Sequence, residues 1–309
     1  MMNRVLFAGT PDFALPTLQA LYDAHYEVVG VLTQPDRLGA KNKLTPPPTK
    51  VLAEQLGIPV LQFAKVRAEG VDAIRALSPD VIVTAAYGQI ISQEIIDIPR
   101  CGVINVHGSL LPLLRGASPI QQAVLEGMDK TGITIMRTAL AVDSGDIILQ
   151  KEMEIGEQET AGELFDRMAV LGAYALLEAL PGVLDGTAVY TPQDHGKATF
   201  CKMLKKEDGK IDWTKSVREI SCHVRGMNPW PSAFCTVGGK LFKVWRVSRY
   251  DDEVVAPCGA VCIANAKEGI VVQVADGRVS LDEVQPEGSR RMSGREYMVG
   301  HTLPIGETL

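Results

Sequence analysis

The chain has 309 residues, 46% of them hydrophobic and 22% charged, with a formal net charge of −6. That length holds two domains of about 100–200 residues each, and the composition is that of a globular protein rather than a disordered or fibrous one. No stretch approaches the ~18 apolar residues of a membrane span, and six cysteines without CxxC or His-rich spacing read as free thiols rather than metal ligands.

The N-terminal apolar run is stopped early by Gly9 and Pro11, too soon for a secretory signal, so a cytoplasmic location is expected. Residues 4–8 read as a strand, and Gly9, Thr10, Pro11 and Asp12 as the turn into a helix ending near Tyr22. EVVGVLT at 27–33 is a second strand, and this βαβ opening predicts a doubly wound sheet. The first turn, GTPDF, has one glycine where the dinucleotide fingerprint needs three, which argues against a nicotinamide enzyme. Gly9 still lets a ligand approach the backbone. The connection 34–48, QPDRLGAKNKLTPPP, is long for a loop. It carries Arg37, Lys41 and Lys43, cations that either close over a phosphate-bearing substrate or decorate an idle surface loop.

A helix near 49–56, a strand at 60–62 and a helix near 69–77 follow. DVIVTAA at 80–86 is a near-continuous apolar run, the mark of a central parallel strand, with Tyr87 and Gly88 at its carboxyl end. The most informative stretch is 101–119, CGVINVHGSLLPLLRGASP. Its apolar run 102–106 is interrupted by Asn105 and ends at His107 and Gly108. Asn105 and His107 are two residues apart, so they point to one side of an extended chain. They also stand at the carboxyl end of a strand, where open parallel sheets place ligands. An amide and an imidazole converging there can polarise a carbonyl and manage a proton; the plainer alternative is that they satisfy loop backbone groups.

Ser118 and Pro119 read as the N-cap and first residue of a helix to about 126. Strands at 133–138 and 147–154 flank AVDSGD, where Asp143 and Asp146 lie in a glycine-containing turn. Asx-turn duty is the simple reading of both and the preferred one for Asp146. Thr160 and Glu163 form a capping box that opens an amphipathic helix to about Leu180.

From 185 to about 206 the rhythm lapses into a connector. Short strands at 233–237, 241–247, 260–265, 269–274 and 278–285, with Gly238 and Gly239 as a hairpin turn, predict a small β-barrel of the OB type. Trp230, Phe234 and Trp245 offer faces for stacking bases, although burial in the core is the expectation for at least two of them. Charge is uneven. Residues 201–249 hold eleven Lys or Arg against four acidic residues, a surplus of +7 that leaves −13 on the remainder. Such a patch binds phosphate locally, unless it is only a solvated face.

FAGTPDFALPTL, NVHGSLLP followed by RGASPIQ, DSGDI, VRGMNPWPSAF and QPEGSRRMSGREY together make the chain resemble methionyl-tRNA formyltransferases over essentially its full length. NVHGSLLP is shared with other formyltransferases that use 10-formyltetrahydrofolate, whereas the two C-terminal motifs are specific to the tRNA enzymes. The resemblance implies a Rossmann-like, doubly wound α/β catalytic domain at 1–188, a linker at 189–206 and an OB-like β-barrel at 207–309 that binds tRNA. It implies a catalytic trio of Asn105, His107 and Asp143, and a tetrahydrofolate site that includes Ser109, Leu110, Leu111 and Pro112. The loop with Arg37, Lys41 and Lys43 then approaches the tRNA acceptor end, and Lys205, Lys206 and Lys210 in the basic stretch become further tRNA contacts. The implied reaction moves a formyl group from 10-formyltetrahydrofolate to the α-amine of methionyl initiator tRNA for translation initiation. It is expected of a monomer, without metal or membrane.

Two departures stand out. Gly39, Ala40, Lys41, Asn42 and Lys43 occupy the place of the family's frequent Gly-Arg-Gly-Lys run, and Lys lacks the bidentate fork of Arg. Leu113 and Leu114 replace a basic and an aromatic residue, so RNA contact is not expected at those two positions. The rival readings are a formyltransferase or formyl-folate hydrolase acting on a small amine, a sugar nucleotide or water, and a non-catalytic RNA-binding protein. The +7 stretch opposes the first and the intact trio opposes the second.

Overall fold

A computed structural model describes residues 3–39 and 43–309. Lys41 therefore lies outside the described residues. The chain forms two compact units. The first comprises Met1–Pro119, Thr131–Glu154 and Phe165–Cys201; the second comprises Ile120–Lys130, Ile155–Leu164 and Lys202–Leu309.

The first unit is built on a seven-stranded sheet of β1 (Arg4–Gly9), β2 (Glu27–Thr33), β3 (Val60–Gln62), β4 (Val81–Ala85), β5 (Val103–His107), β6 (Lys130–Arg137) and β7 (Ile147–Glu154). Their order across the sheet is β7-β6-β5-β4-β1-β2-β3. β1 to β5 pair in parallel, as the βαβ opening predicts. β6 reverses against β5, placing Thr134 opposite His107 and Met136 opposite Asn105. β4 is buried at every position, which explains its near-continuous apolar run. Within the 34–48 connection, Arg37–Leu38 pairs antiparallel with Leu44–Thr45 before the helix Pro48–Gln55.

The long helix Ala161–Asp185 passes through Pro181 and ends later than the sequence suggests. Leu176, Leu180, Val183 and Leu184 are buried along it, and that burial outweighs the penalty of an interior proline. Contrary to the sequence expectation, this helix is long and apolar enough to cross a membrane by length and composition, with a mean hydropathy of 1.4. Its buried face, and the packing of Phe165 on Phe13 with ring centroids 5.4 Å apart, mark it as a core helix.

The second unit contains β8 (Ala233–Val237), β9 (Lys240–Asp251), β10 (Val261–Asn265), β11 (Gly269–Val274), β12 (Gly277–Pro286) and β13 (Met292–Ser293). They pair antiparallel in the order β8-β9-β12-β11-β10, with β13 on β12. This is the expected antiparallel domain; isolated bridges of Lys210 to Phe234 and of Ala260 to Thr308 extend its edges, and among the described residues no ladder joins β8 to β10. Gly238 and Gly239 both have positive φ, as a two-residue hairpin turn requires.

Two helices here have no counterpart in the sequence reading, Val217–Gly226 and Gly294–Gly300. Each begins with a capping box, Ser216 with Glu219 and Ser293 with Glu296, so the signal was present as S-x-x-E. Val217, Ile220 and Val224 turn one face into the core beside Val244, Val272 and Leu281. Trp245 alone of the three aromatics is buried: Trp230 is 51% exposed and Phe234 half-buried. All six cysteines are free.

Candidate active site

The site forms where β4 and β5 end. Thr84 pairs with Asn105 in the parallel register, and its Oγ1 donates to Asn105 Oδ1 at 2.7 Å. The amide carbonyl is thereby occupied, and Asn105 Nδ2 has no protein acceptor among the described residues. His107 is 5% exposed, with Nε2 3.1 Å from the Leu114 carbonyl. A carbonyl only accepts, so Nε2 carries the hydrogen and neutral His107 presents a bare Nδ1. Nδ1 lies 3.7 Å from Asp143 Oδ1. That is too long for a direct hydrogen bond, yet it places any proton taken up at Nδ1 beside a carboxylate.

Asp143 sits at φ +46°, in the left-handed region that non-glycine residues seldom enter. Its Oδ2 accepts from Gly116 N at 2.8 Å. Gly116 itself has positive φ, and a Cβ there would strike the Cys201 carbonyl, so glycine is required for the close approach. Gln193 Nε2 donates to the carbonyls of Asp143 at 3.0 Å and Gly145 at 2.6 Å. Gln193 Oε1 accepts from Arg115 Nε and Nη2 at 3.1 and 2.7 Å. His107 and Asp143 thus stand side by side, with Asn105 two residues before His107 on the same strand, while the parts played by Thr84, Arg115 and Gln193 escaped the sequence reading. An isolated Thr in a strand and a Gln in a connector give no periodic or spacing signal.

The turn with Ser109, Leu110, Leu111 and Pro112 is a fixed wall. Ser109 Oγ donates to the Leu113 carbonyl at 2.6 Å, and Thr134 Oγ1 donates to the Ser109 carbonyl at 2.6 Å. Gln150 Nε2 donates to the Leu111 carbonyl at 2.9 Å. Beyond Asp143, residues Ser144 and Gly145 border a cavity of about 660 Å³, also lined by Ile96, Arg100, Arg137, Thr138, Leu140 and Asp146. Asn105 and His107 are not among its lining residues. The Asp146 carboxylate makes no hydrogen bond to the turn among the described residues, which corrects the Asx-turn reading, and Asp146 is one of the residues lining this cavity.

Of the sequence-predicted cations, Arg37 is exposed and donates to Gln34 Oε1 at 3.2 Å, and Lys43 is exposed on the same loop. In the second unit Lys205, Lys206 and Lys210 are exposed, with no carboxylate in ion-pair range among the described residues. Neighbouring Lys202, in contrast, pairs with Asp208 at 3.0 Å.

Residues 2–180 match the formyl transferase family model, and 203–302 match the formyl transferase C-terminal domain. Methionyl-tRNA formyltransferases of Bacillus cereus (strain B4264) and Bacillus pumilus (strain SAFR-032) are each 46% identical over 311 residues, covering 100% of this chain and 99% and 98% of the relatives. Among solved structures, HypX from Aquifex aeolicus in complex with tetrahydrofolic acid matches with a TM-score of 0.64 at 17% identity, over 96% of this chain and 47% of HypX. The present chain thus spans about half of that protein. The N-formyltransferase from Helicobacter canadensis, in complex with folinic acid and dTDP-3-aminofucose, matches with a TM-score of 0.69 at 17% identity, over 90% of this chain and 98% of that one. These two likenesses establish the fold, and the close relatives establish the rest: the chain belongs to the methionyl-tRNA formyltransferase family.

Proposed function

We propose that this protein formylates the α-amine of methionyl initiator tRNA with 10-formyltetrahydrofolate as co-substrate, acting as a cytoplasmic monomer. The folate supplies the formyl group: a bond from its carbon to the amine forms, the bond to N10 breaks, and one proton moves from the amine to N10. The observation that carries the reading is the Asn105 amide, held by Thr84 so that its N–H donors are free at the end of β5. Asn105 Nδ2 donates to the formyl oxygen as that oxygen gains negative charge, an effect worth about 10²–10³ in rate. His107 takes the amine proton at Nδ1 and returns it to the departing nitrogen, with Asp143 stabilising the imidazolium. Acid–base assistance of this kind contributes about 10²–10⁴.

The cavity beside the Asp143 turn supports a folate site. Its 660 Å³ is in the range of small-ligand pockets. Leu140, 65% exposed, offers apolar surface to a flat ring, while Arg100, Arg137, Thr138 and Asp146 offer polar partners for ring edges and a carboxylate tail. The family resemblance also puts the turn of Ser109, Leu110, Leu111 and Pro112 at the folate site, outside the lining of this cavity. We assign catalysis to 1–188, joined by 189–206 to a tRNA-binding region at 207–309. Lys205 and Lys206 at the end of that linker, Lys210 just after it, and Arg37 with Lys43 on the loop before Pro48–Gln55 are exposed and positioned to meet phosphates.

The test is formyl transfer measured with methionyl initiator tRNA, methionyl elongator tRNA, free methionine and an amino-sugar nucleotide. Efficient transfer to the initiator tRNA alone is expected. Equal or greater transfer to a small amine or to water overturns the reading.

A further inference from the structure

Asp143 occupies the left-handed region, which Asp enters only occasionally and with local hydrogen-bond support. The restraint is the buried Gln193, 6% exposed, whose amide group clasps the turn by its Asp143 and Gly145 carbonyls. Behind it stands Arg115, 5% exposed, both of whose contacting nitrogens converge on Gln193 Oε1. Among the described residues Arg115 has no carboxylate in ion-pair range; its remaining partner is His195 Nδ1 at 3.0 Å. Burying a guanidinium without an anion is unfavourable, which is hard to account for as packing alone.

The chemistry of the pair explains the choice. Gln193 has to accept from Arg115 and donate to two carbonyls at once, and an amide does both. A carboxylate in its place would neutralise Arg115 but would aim oxygen at oxygen in the turn. Polarisation by the guanidinium also strengthens the two N–H donors. The segment that carries Gln193 is itself tied down. Thr191 exchanges two backbone hydrogen bonds with Ile147 at 2.8 Å, and Thr199 O accepts from Arg115 N at 2.9 Å. Phe200–Cys201 pairs in parallel with Arg115–Gly116.

We propose that Gln193, braced by Arg115, is a positioning residue that sets the Asp143 carboxylate against His107 for formyl transfer. The proposal rests on the reading of Asp143 given under Proposed function. It predicts that Gln193→Glu and Gln193→Met lower kcat by about 10²-fold, the loss expected when a catalytic group is misplaced by about 1 Å. KM for methionyl-tRNA should change by less than about twofold, because only an interaction made in the transition state is lost. Arg115→Lys, which still donates to Gln193 Oε1, should retain more activity than Arg115→Met.

The experiment is a double-mutant cycle of Gln193→Glu with Asp143→Asn, read as kcat and KM for formyl transfer, with thermal unfolding recorded for each variant. If Gln193 works through the Asp143 carboxylate, Gln193→Glu has no further effect on kcat once that carboxylate is gone. Additive losses, or an effect confined to KM, overturn the proposal. If Gln193→Glu fails to fold, the same cycle is run with Gln193→Met. A wild-type protein that transfers formyl to no tRNA refutes the functional reading instead, so the two failures are distinguishable.

Discussion

Thr84 Oγ1 donates to Asn105 Oδ1 at 2.7 Å, across two neighbouring parallel strands. One hydroxyl thereby decides which end of the amide is offered to a substrate. Asn105→Ala should raise the barrier by about 2.7–4 kcal/mol, the usual loss for one oxyanion donor. Thr84→Val keeps the shape but releases the amide, and should lower kcat by a smaller factor that Thr84→Ser recovers. Single-turnover rates decide the matter; wild-type rates in Thr84→Val would mean the amide is oriented by something else.

Asp143→Gly and Asp143→Asn both remove the carboxylate while keeping the backbone conformation. Glycine and asparagine both accept φ +46°, so stability should stay within about 1 kcal/mol of wild type for either change. Turnover should fall by 10²-fold or more, the scale of lost acid–base assistance, with folate affinity nearly unchanged. A collapse of folate affinity with turnover preserved at saturation would make Asp143 a binding residue.

Affinity for tRNA should fall with salt by a logarithmic slope of about −0.7 to −0.9 per phosphate neutralised. Replacing Lys205, Lys206 and Lys210 with Ala should flatten that slope for initiator and elongator tRNA alike. Replacing Lys41 and Lys43 should reduce turnover at saturating tRNA more than binding. An unchanged slope in the Lys205 set would show that tRNA is held elsewhere.

Gln273 is a fully buried hub of the second unit. Its Nε2 donates to the carbonyls of Glu253, Val274 and Gly277, and its Oε1 accepts from the N–H groups of Val255 and Ala256. Gln273→Leu strands these backbone groups at about 1–3 kcal/mol for each one left buried. Denaturant unfolding should show a loss of at least about 3 kcal/mol on that scale, largest in the segment after Asp251. A near-neutral change would mean that water replaces the side chain fully.

Asp80 supplies a pH test. The Arg4 backbone N–H at 2.8 Å, and then the Arg100 guanidinium at 2.7 Å, hold its carboxyl below the usual range. The unfolded chain therefore takes up the proton first as pH falls. The stabilisation is complete above the ordinary carboxylate value of about 3.9 and disappears as pH drops through the lowered native value. Asp80→Asn should be less stable than wild type at neutral pH, with the gap closing below about pH 4. A gap independent of pH would show that shape, not charge, matters at this position.

The sheet was legible because its strands carry their own signal. The apolar run at 80–86 and the interrupted run at 102–106 became β4 and β5 within a residue at each end. Asn105 and His107 were legible for the same reason, being polar residues set two apart in an apolar strand. The reversal of β6 was not, since a buried apolar strand reads alike in either direction. Helix Val217–Gly226 was missed although Ser216 and Glu219 mark its start, because its short apolar pattern was overshadowed by the strands that follow. Arg115 opens the RGASPIQ motif, but nothing in the sequence ties it to Gln193. Their pairing spans most of a hundred residues, and only tertiary structure brings an amide in a connector to a guanidinium after a glycine-flanked turn.

The tie between Thr191 and Ile147, and between Phe200–Cys201 and Arg115–Gly116, bears on how the polypeptide tolerates being cut. A proteolytic nick or a stop codon near residue 188 would fall in what looks like harmless connecting chain. The sheet would survive it, with every strand from Arg4 to Glu154 upstream of the break. A fragment truncated there would nonetheless lack Gln193, and the turn at Asp143 would lose the amide that clasps it, whereas a nicked chain keeps it only through those backbone ties. A piece that keeps the clasp on Asp143 must therefore extend at least through Gln193, and the compact unit that holds it runs to Cys201.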